Sequence, residues 1–158
     1  MNNRGFTLVE TVIVMGIVAI LMGITTISVL RPQRRAGLNE VVQVLLSDLR
    51  SQQTKAMTGV TVQGAVPPGF GVYFETNRYI LFSGASYNPS DPANTPVSVQ
   101  VPNTVSAIRF AANTVVFLAR SGEISGYTAG GDSVTIAQES GQTKTIQMNR
   151  YGVVVSMD

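Results

Sequence analysis

The sequence contains no cysteine and no histidine. Without cysteine there is neither a disulfide framework nor a thiol site, and the redox compartment is left open. Without histidine the chain lacks the commonest metal ligand and the commonest general base. Together these absences argue against an enzyme, a metal centre or a bound cofactor. Asp91 and Asp132, the acids in the loop-like stretches, are expected to be solvated turn residues rather than metal ligands. Charge is scarce as well, at 13% of residues, and residues 11–30 (TVIVMGIVAILMGITTISVL) carry none.

At a rise of about 1.5 Å per residue, that uncharged run makes a helix of about 30 Å, the thickness of a bilayer core. Ahead of it stand the polar leader MNNR and then GFTLVE, residues 5–10, with Glu10 the lone acid at the mouth of the apolar run. A plain membrane anchor is one reading, with Glu10 as its last polar residue. A secretory signal peptide is a second, although the run exceeds the roughly 7–15 apolar residues of such signals and no small-x-small cleavage site follows it. In the third, the segment resembles a type IV prepilin leader. That resemblance implies cleavage by a dedicated prepilin peptidase between Gly5 and Phe6, and N-methylation of Phe6 as the new first residue. It also implies that Glu10 pairs with the α-amine of a neighbouring subunit, setting register and recruiting the chain into a filament. A carboxylate bordering hydrocarbon costs a few kcal/mol unless paired, so Glu10 is a functional candidate on physical grounds too.

The remaining charges are unevenly placed. Arg31, Arg34 and Arg35 follow the apolar run, whereas the stretch from residue 36 onward holds seven basic and eight acidic residues. The body is therefore near neutral and offers no broad basic surface for nucleic acid. Three arginines after the run against Arg4 before it would place the body on the cytoplasmic side by the positive-inside rule. The prepilin resemblance implies the opposite: a single pass through the inner membrane, with the body in the periplasm or outside the cell and later in a filament.

Within the anchor, Ala19 and Gly23 have the small-xxx-small spacing that lets membrane helices approach closely, although ordinary membrane-helix composition accounts for them equally. Pro32 is expected to kink or interrupt the helix where it leaves the membrane, and Gly37 to loosen it. Leu38, Val41, Val42, Leu45, Leu46 and Leu49 then recur at helical spacing as an amphipathic stripe, with Ala56 and Met57 as its extension. Gly59 is read as the stop. From Val60 the period changes to that of strands. Residues 70–74 and 79–82 flank a hairpin turn at 75–78, and residues 84–96 form a Pro- and Asn-rich surface loop. Val97, Val99 and Val101 are expected on one strand face, and Ile108 and Phe110 on the next. Val115 to Leu118 should form a buried strand. Val134 and Ile136 should face Ile146 and Met148 across a turn at 140–142, with Val153 to Val155 closing the sheet.

The expected organisation is a leader at 1–5, a transmembrane or filament-core helix at 6–30, an amphipathic continuation at 31–59 and a β-rich globular domain at 60–158. This is an α+β fold, a long N-terminal helix packed on antiparallel sheet. The body's pattern resembles the H-type minor pseudopilins of type II secretion and the FimT-type minor pilins. The likeness lies in Asp48-Leu49-Arg50 with Ala56 and Gly59-Val60, in Val115-Val116-Phe117 with Gly122 and Ile124, and in the segments 134–136 and 146–153. It implies a minor pilin or pseudopilin of a type IV pilus or type II secretion pseudopilus. The partners implied are other pilins or pseudopilins, the prepilin peptidase, the inner-membrane assembly platform and the membrane itself. An alternative is a FimT-like minor pilin that binds DNA in natural transformation through a C-terminal motif resembling Gly-Arg-x-Arg. The corresponding stretch here, residues 148–153 (MNRYGV), has one arginine and lacks that motif. Phosphate binding by a single cation is weak, which argues against DNA.

Overall fold

The computed structural model describes the backbone of residues 7–158 and the side chains of residues 7–22 and 37–158. The order is α1 (Leu8–Thr58), β1 (Gly69–Glu75), β2 (Arg78–Ser83), β3 (Thr95–Ser98), β4 (Asn103–Ile108), a 3-10 turn (Ala111–Asn113), β5 (Thr114–Leu118), β6 (Ser133–Gln138), β7 (Thr143–Met148) and β8 (Val154–Met157). The class is α+β, as expected. The chain divides into two compact units, residues 1–37 and 38–158.

In the first unit every described side chain from Thr7 to Met22 is exposed. Leu8, Val9, Val12, Ile13, Met15, Ile20 and Met22 are among the large aliphatic ones. A helix that is apolar all round has no face suited to water, so its cover must come from lipid or from other helices. Among the described residues no helix is long and apolar enough to cross a membrane. The expected span at 11–30 runs into residues 23–36, whose side chains lie outside the described set, but the backbone of α1 continues through Pro32 without the interruption expected there.

In the second unit the helical stripe does what its spacing dictates. Leu38, Val42, Leu45, Leu46 and Leu49 are buried and Val41 packs against them. The stripe continues through Gln52 and Ala56, both buried, whereas Met57 is exposed, so it was no extension of the stripe. Gln52 replaces an aliphatic residue at a core position because its amide reaches the sheet: Nε2 donates to the Gly71 carbonyl at 3.1 Å. The helix ends as expected at Gly59, which takes φ +67°, a conformation costly for any residue with a Cβ. The Val60 N–H then bonds back to the Lys55 carbonyl, and the Arg120 N–H caps the Ala56 carbonyl.

The strands form two four-stranded antiparallel sheets, ordered β3-β2-β1-β5 and β4-β6-β7-β8. The β1–β2 hairpin is tighter than the sequence suggested. Glu75 pairs directly with Arg78, leaving only Thr76 and Asn77 in the turn, and the two side chains form an ion pair at 2.6 Å. Val134 sits opposite Ile146, but Ile136 faces Lys144 rather than Met148. The strand expected through Val97, Val99 and Val101 stops at Ser98. Val99 is buried just beyond it, and Val101 is 79% exposed. Residues 59–68 form no strand, only an isolated bridge between Val62 and Ala65. The β5 strand returns to pair with β1 after β4 has already entered the other sheet.

One core joins the helix to both sheets, with Leu45, Leu49, Val72, Phe74, Phe117, Val134, Ile136 and Ile146 essentially inaccessible. At the margin of this core the Tyr79 hydroxyl donates to Asp48 Oδ2 at 2.6 Å. Burial, and then that bond and the Asp48 charge, push the Tyr79 hydroxyl well above the usual tyrosine range.

Candidate functional site

The sequence singled out Gly5, Phe6 and Glu10. Gly5 and Phe6 lie outside the described residues. Glu10 is described, and its position follows from Thr7. The first N–H groups of any helix have no intrahelical partner. Here the Thr7 hydroxyl accepts the Glu10 N–H at 3.3 Å, while the Thr7 carbonyl accepts the Thr11 N–H at 3.2 Å and the Thr11 hydroxyl at 3.3 Å. Thr7 is thus the cap and Glu10 the third helical residue, the spacing of a capping box. Sequence reasoning about the apolar run passed over Thr7, although Thr-x-x-Glu was legible at residues 7–10.

This geometry fixes Glu10 in the first turn of α1, on the end of the helix that carries the positive pole of the backbone dipole. The side chain is exposed. Its surroundings are Leu8, Val9, Val12, Ile13 and Val14, all of them more than half exposed. A carboxylate held at a fixed place in an apolar, uncovered wall is suited to pair with a cation brought by a neighbour.

The C-terminal stretch 148–153, the counterpart of the DNA-binding motif, forms a tight loop. Asn149 Oδ1 accepts the N–H groups of Tyr151 and Val153, both at 3.0 Å. Gly152 adopts φ +71°, and a Cβ there would lie 2.5 Å from Gln53 Nε2 and 2.8 Å from the Phe117 ring. Gln53 Nε2 donates to the carbonyls of Tyr151 at 2.7 Å and Gly122 at 3.0 Å, pinning two loops to the end of α1. Arg150 is paired with Glu123 through Nη2 at 3.0 Å and Nε at 3.3 Å. That hydrogen bond, and then the Glu123 charge, raise the affinity of the guanidinium for its proton. The loop's single cation is therefore already engaged by a carboxylate.

Among the described residues no group of three or more acids is placed to hold a metal ion. Asp91 behaves as an ordinary turn residue, its Oδ1 accepting the Ala93 N–H at 2.9 Å. Asp132 does not stay in solvent as expected. It is 4% exposed, because its carboxylate turns inward to accept the Thr128 N–H at 3.1 Å.

No curated protein and no solved structure matches the chain significantly. A family model does match the N-terminus, over residues 1–26, the stretch that holds the capped turn, Glu10 and the start of the exposed apolar wall. That model describes the prokaryotic N-terminal methylation motif, which supports a type IV prepilin-like signal at the head of this chain.

Proposed function

We propose that the protein is a minor pilin or pseudopilin, a structural subunit of a type IV pilus or a type II secretion pseudopilus. Prepilin peptidase cuts between Gly5 and Phe6, Phe6 is N-methylated, and the mature chain enters a filament through its N-terminal helix. The observation that carries this reading is the methylation-motif match over residues 1–26. The uncovered apolar wall of α1 supports it, since such a wall is stable in lipid before assembly and against neighbouring helices afterwards. Cleavage creates a positive α-amine about one helical turn from Glu10. In a stack of parallel helices the amine of one subunit and the Glu10 of the next neutralise each other, which removes the cost of two isolated charges near hydrocarbon. Other pilins or pseudopilins are then the partners, with the inner-membrane assembly platform as the site of addition.

Intact-mass analysis of the protein extracted from membranes of cells with prepilin peptidase tests the processing. The expected mass begins at Phe6 and includes one extra methyl group. A mature chain that still begins at Met1 overturns the proposal. Assembly is tested by separating membrane and sheared-filament fractions for Glu10 variants. Glu10→Ala and Glu10→Gln should be cleaved normally yet be depleted from filaments at least tenfold, with Glu10→Asp intermediate. Wild-type levels of Glu10→Ala in filaments would disprove the pairing mechanism.

A further inference from the structure

The second sheet carries a surface cleft that the filament role does not use. Its floor follows from strand register. Ala107 on β4 lies opposite Thr135 on β6, and Thr135 opposite Thr145 on β7, which makes one rung across three strands. The next rung is Arg109, whose N–H bonds the Ser133 carbonyl at 2.8 Å, then Ser133 and, opposite it, Gln147. Side chains on directly opposed residues point to the same face of a sheet. The core-facing neighbours Val134, Ile136 and Ile146 are buried, so these two rungs face away from the core, with Ser133 at the covered floor at 9% exposure. Together with Gly130, from the turn before β6, they line a cleft of about 280 Å³.

The chemistry of this cleft is specific. It offers three hydroxyls, one carboxamide and one guanidinium, with no acid among its lining residues. The Thr135 and Thr145 hydroxyls are 2.9 Å apart, so one donates to the other, either of them serving as donor, and the pair keeps further donor and acceptor capacity for the cleft. Ala107 contributes a methyl where a larger side chain would fill the space. Arg109 is exposed, and among the described residues it forms no ion pair. The acid next to Ser133, Asp132, is turned inward onto the Thr128 N–H, and Asp158, whose backbone pairs with Thr145 at the edge of this sheet, accepts from the Ser156 hydroxyl.

We propose that the cleft binds an acidic saccharide, with one sugar carboxylate on the Arg109 guanidinium and ring hydroxyls on Ser133, Thr135, Thr145 and Gln147. A planar guanidinium matches a carboxylate in a two-pronged geometry. The hydroxyls and the carboxamide each both donate and accept, as sugar hydroxyls do. A single cation also selects against nucleic acid. Duplex DNA presents one negative charge per about 1.7 Å of its axis, and a cleft with one arginine neutralises too few of them.

The test uses the full-length protein in a zwitterionic, sugar-free detergent, titrated with trigalacturonic acid and followed by amide NMR and calorimetry. Saturable shifts centred on Arg109, Ser133, Thr135 and Gln147 are expected, with binding weakened at least tenfold by Arg109→Gln. Thr135→Val, close to isosteric, should weaken it severalfold while leaving the thermal midpoint near wild type. Maltotriose, which lacks the carboxylate, should bind at least tenfold more weakly than the acid. The proposal is overturned if Arg109→Gln binds as well as wild type, if maltotriose binds equally, if no shifts saturate, or if a short DNA duplex binds more tightly than the trisaccharide.

Discussion

The first helical stretch and the second unit put the same aliphatic residues to opposite uses. Between Leu8 and Met22, Leu8 is 80% exposed and Met15 70%, and no described side chain there is buried. Between Leu38 and Ala56, Val42, Leu45 and Leu49 are at most 2% exposed. Composition and periodicity both separate the two, since Glu10 is the lone charge between Leu8 and Met22 whereas Glu40, Asp48, Arg50 and Lys55 interrupt the aliphatics between Leu38 and Ala56. Apolar residues around the whole circumference leave a helix no inside within its own chain, whereas a narrow stripe at i, i+3, i+4 and i+7 defines one. The first stretch is built for a partner phase and the second for a fixed intramolecular core.

Paired truncations test that contrast most sharply. Leu45→Ala should lower the unfolding free energy of the second unit by about 2–5 kcal/mol, the usual cost of a buried leucine cavity. Val12→Ala should leave it unchanged, because Val12 is 61% exposed. Chemical denaturation followed by tyrosine fluorescence reads both. Equal effects would erase the distinction between the two stretches.

Tyr79→Phe comes next and probes the polar contact at the margin of the core. Losing the hydroxyl bond to Asp48 should cost about 1–3 kcal/mol at neutral pH, since the acceptor is a carboxylate. The contribution is also pH-dependent. The hydroxyl ionises at higher pH in the folded chain than in the unfolded one, so its stabilisation is complete below about pH 10 and is lost as pH rises beyond that. The difference between wild type and Tyr79→Phe, measured by denaturation at pH 8 and pH 11, should shrink at the higher pH. A constant difference would mean that the bond does not govern the titration.

Gly152→Ala asks whether the loops at the end of α1 are pinned as tightly as the core. The new Cβ combines a left-handed backbone with a close approach to Gln53 and Phe117. A loss of about 1–3 kcal/mol is expected, readable as a lower thermal midpoint. Gln53→Ala in the same background should then add less than it does alone, because the two residues share one contact. The smallest effect is expected for Arg150→Ala. Its pair with Glu123 is solvent-exposed, and such pairs contribute little. The thermal midpoint should stay within experimental error, and DNA binding should be equally weak in the variant and the wild type.

What the sequence revealed divides along physical lines. The helical stripe, the Gly59 stop, the β1–β2 hairpin and β5 were legible because each is written in local periodicity or in a local turn residue. The place of Gln52 in the stripe was not, since its burial depends on a carbonyl supplied by Gly71 from a distant strand. Asp132 was misjudged for a similar reason, because the Thr128 N–H that draws it inward is visible only once the turn is formed. Val101 reads as strand by alternation, yet Pro102 follows it and the ladder ends at Ser98. At the N-terminus, Glu10 stands out as a candidate through its isolation at the mouth of an apolar run, while the capping role of Thr7 is written in the Thr-x-x-Glu spacing that ends at the same residue. The cleft at Arg109 had no sequence signal at all, because its two rungs are assembled from three strands by register.

The interleaving of the two sheets has a consequence for how this unit comes to exist. The chain lays down β1, β2 and β3, leaves for the other sheet with β4, and only then returns with β5 to close the first sheet against β1. Neither sheet can be completed by a contiguous piece of chain. As the polypeptide emerges, the outer edge of β1 stays open until residue 118 is available, and β4 waits for β6. Folding is thus governed by a few distant pairings, which close slowly, while open strand edges are the groups most prone to pair with the wrong chain. The interval before β5 arrives is when self-association competes most directly with folding.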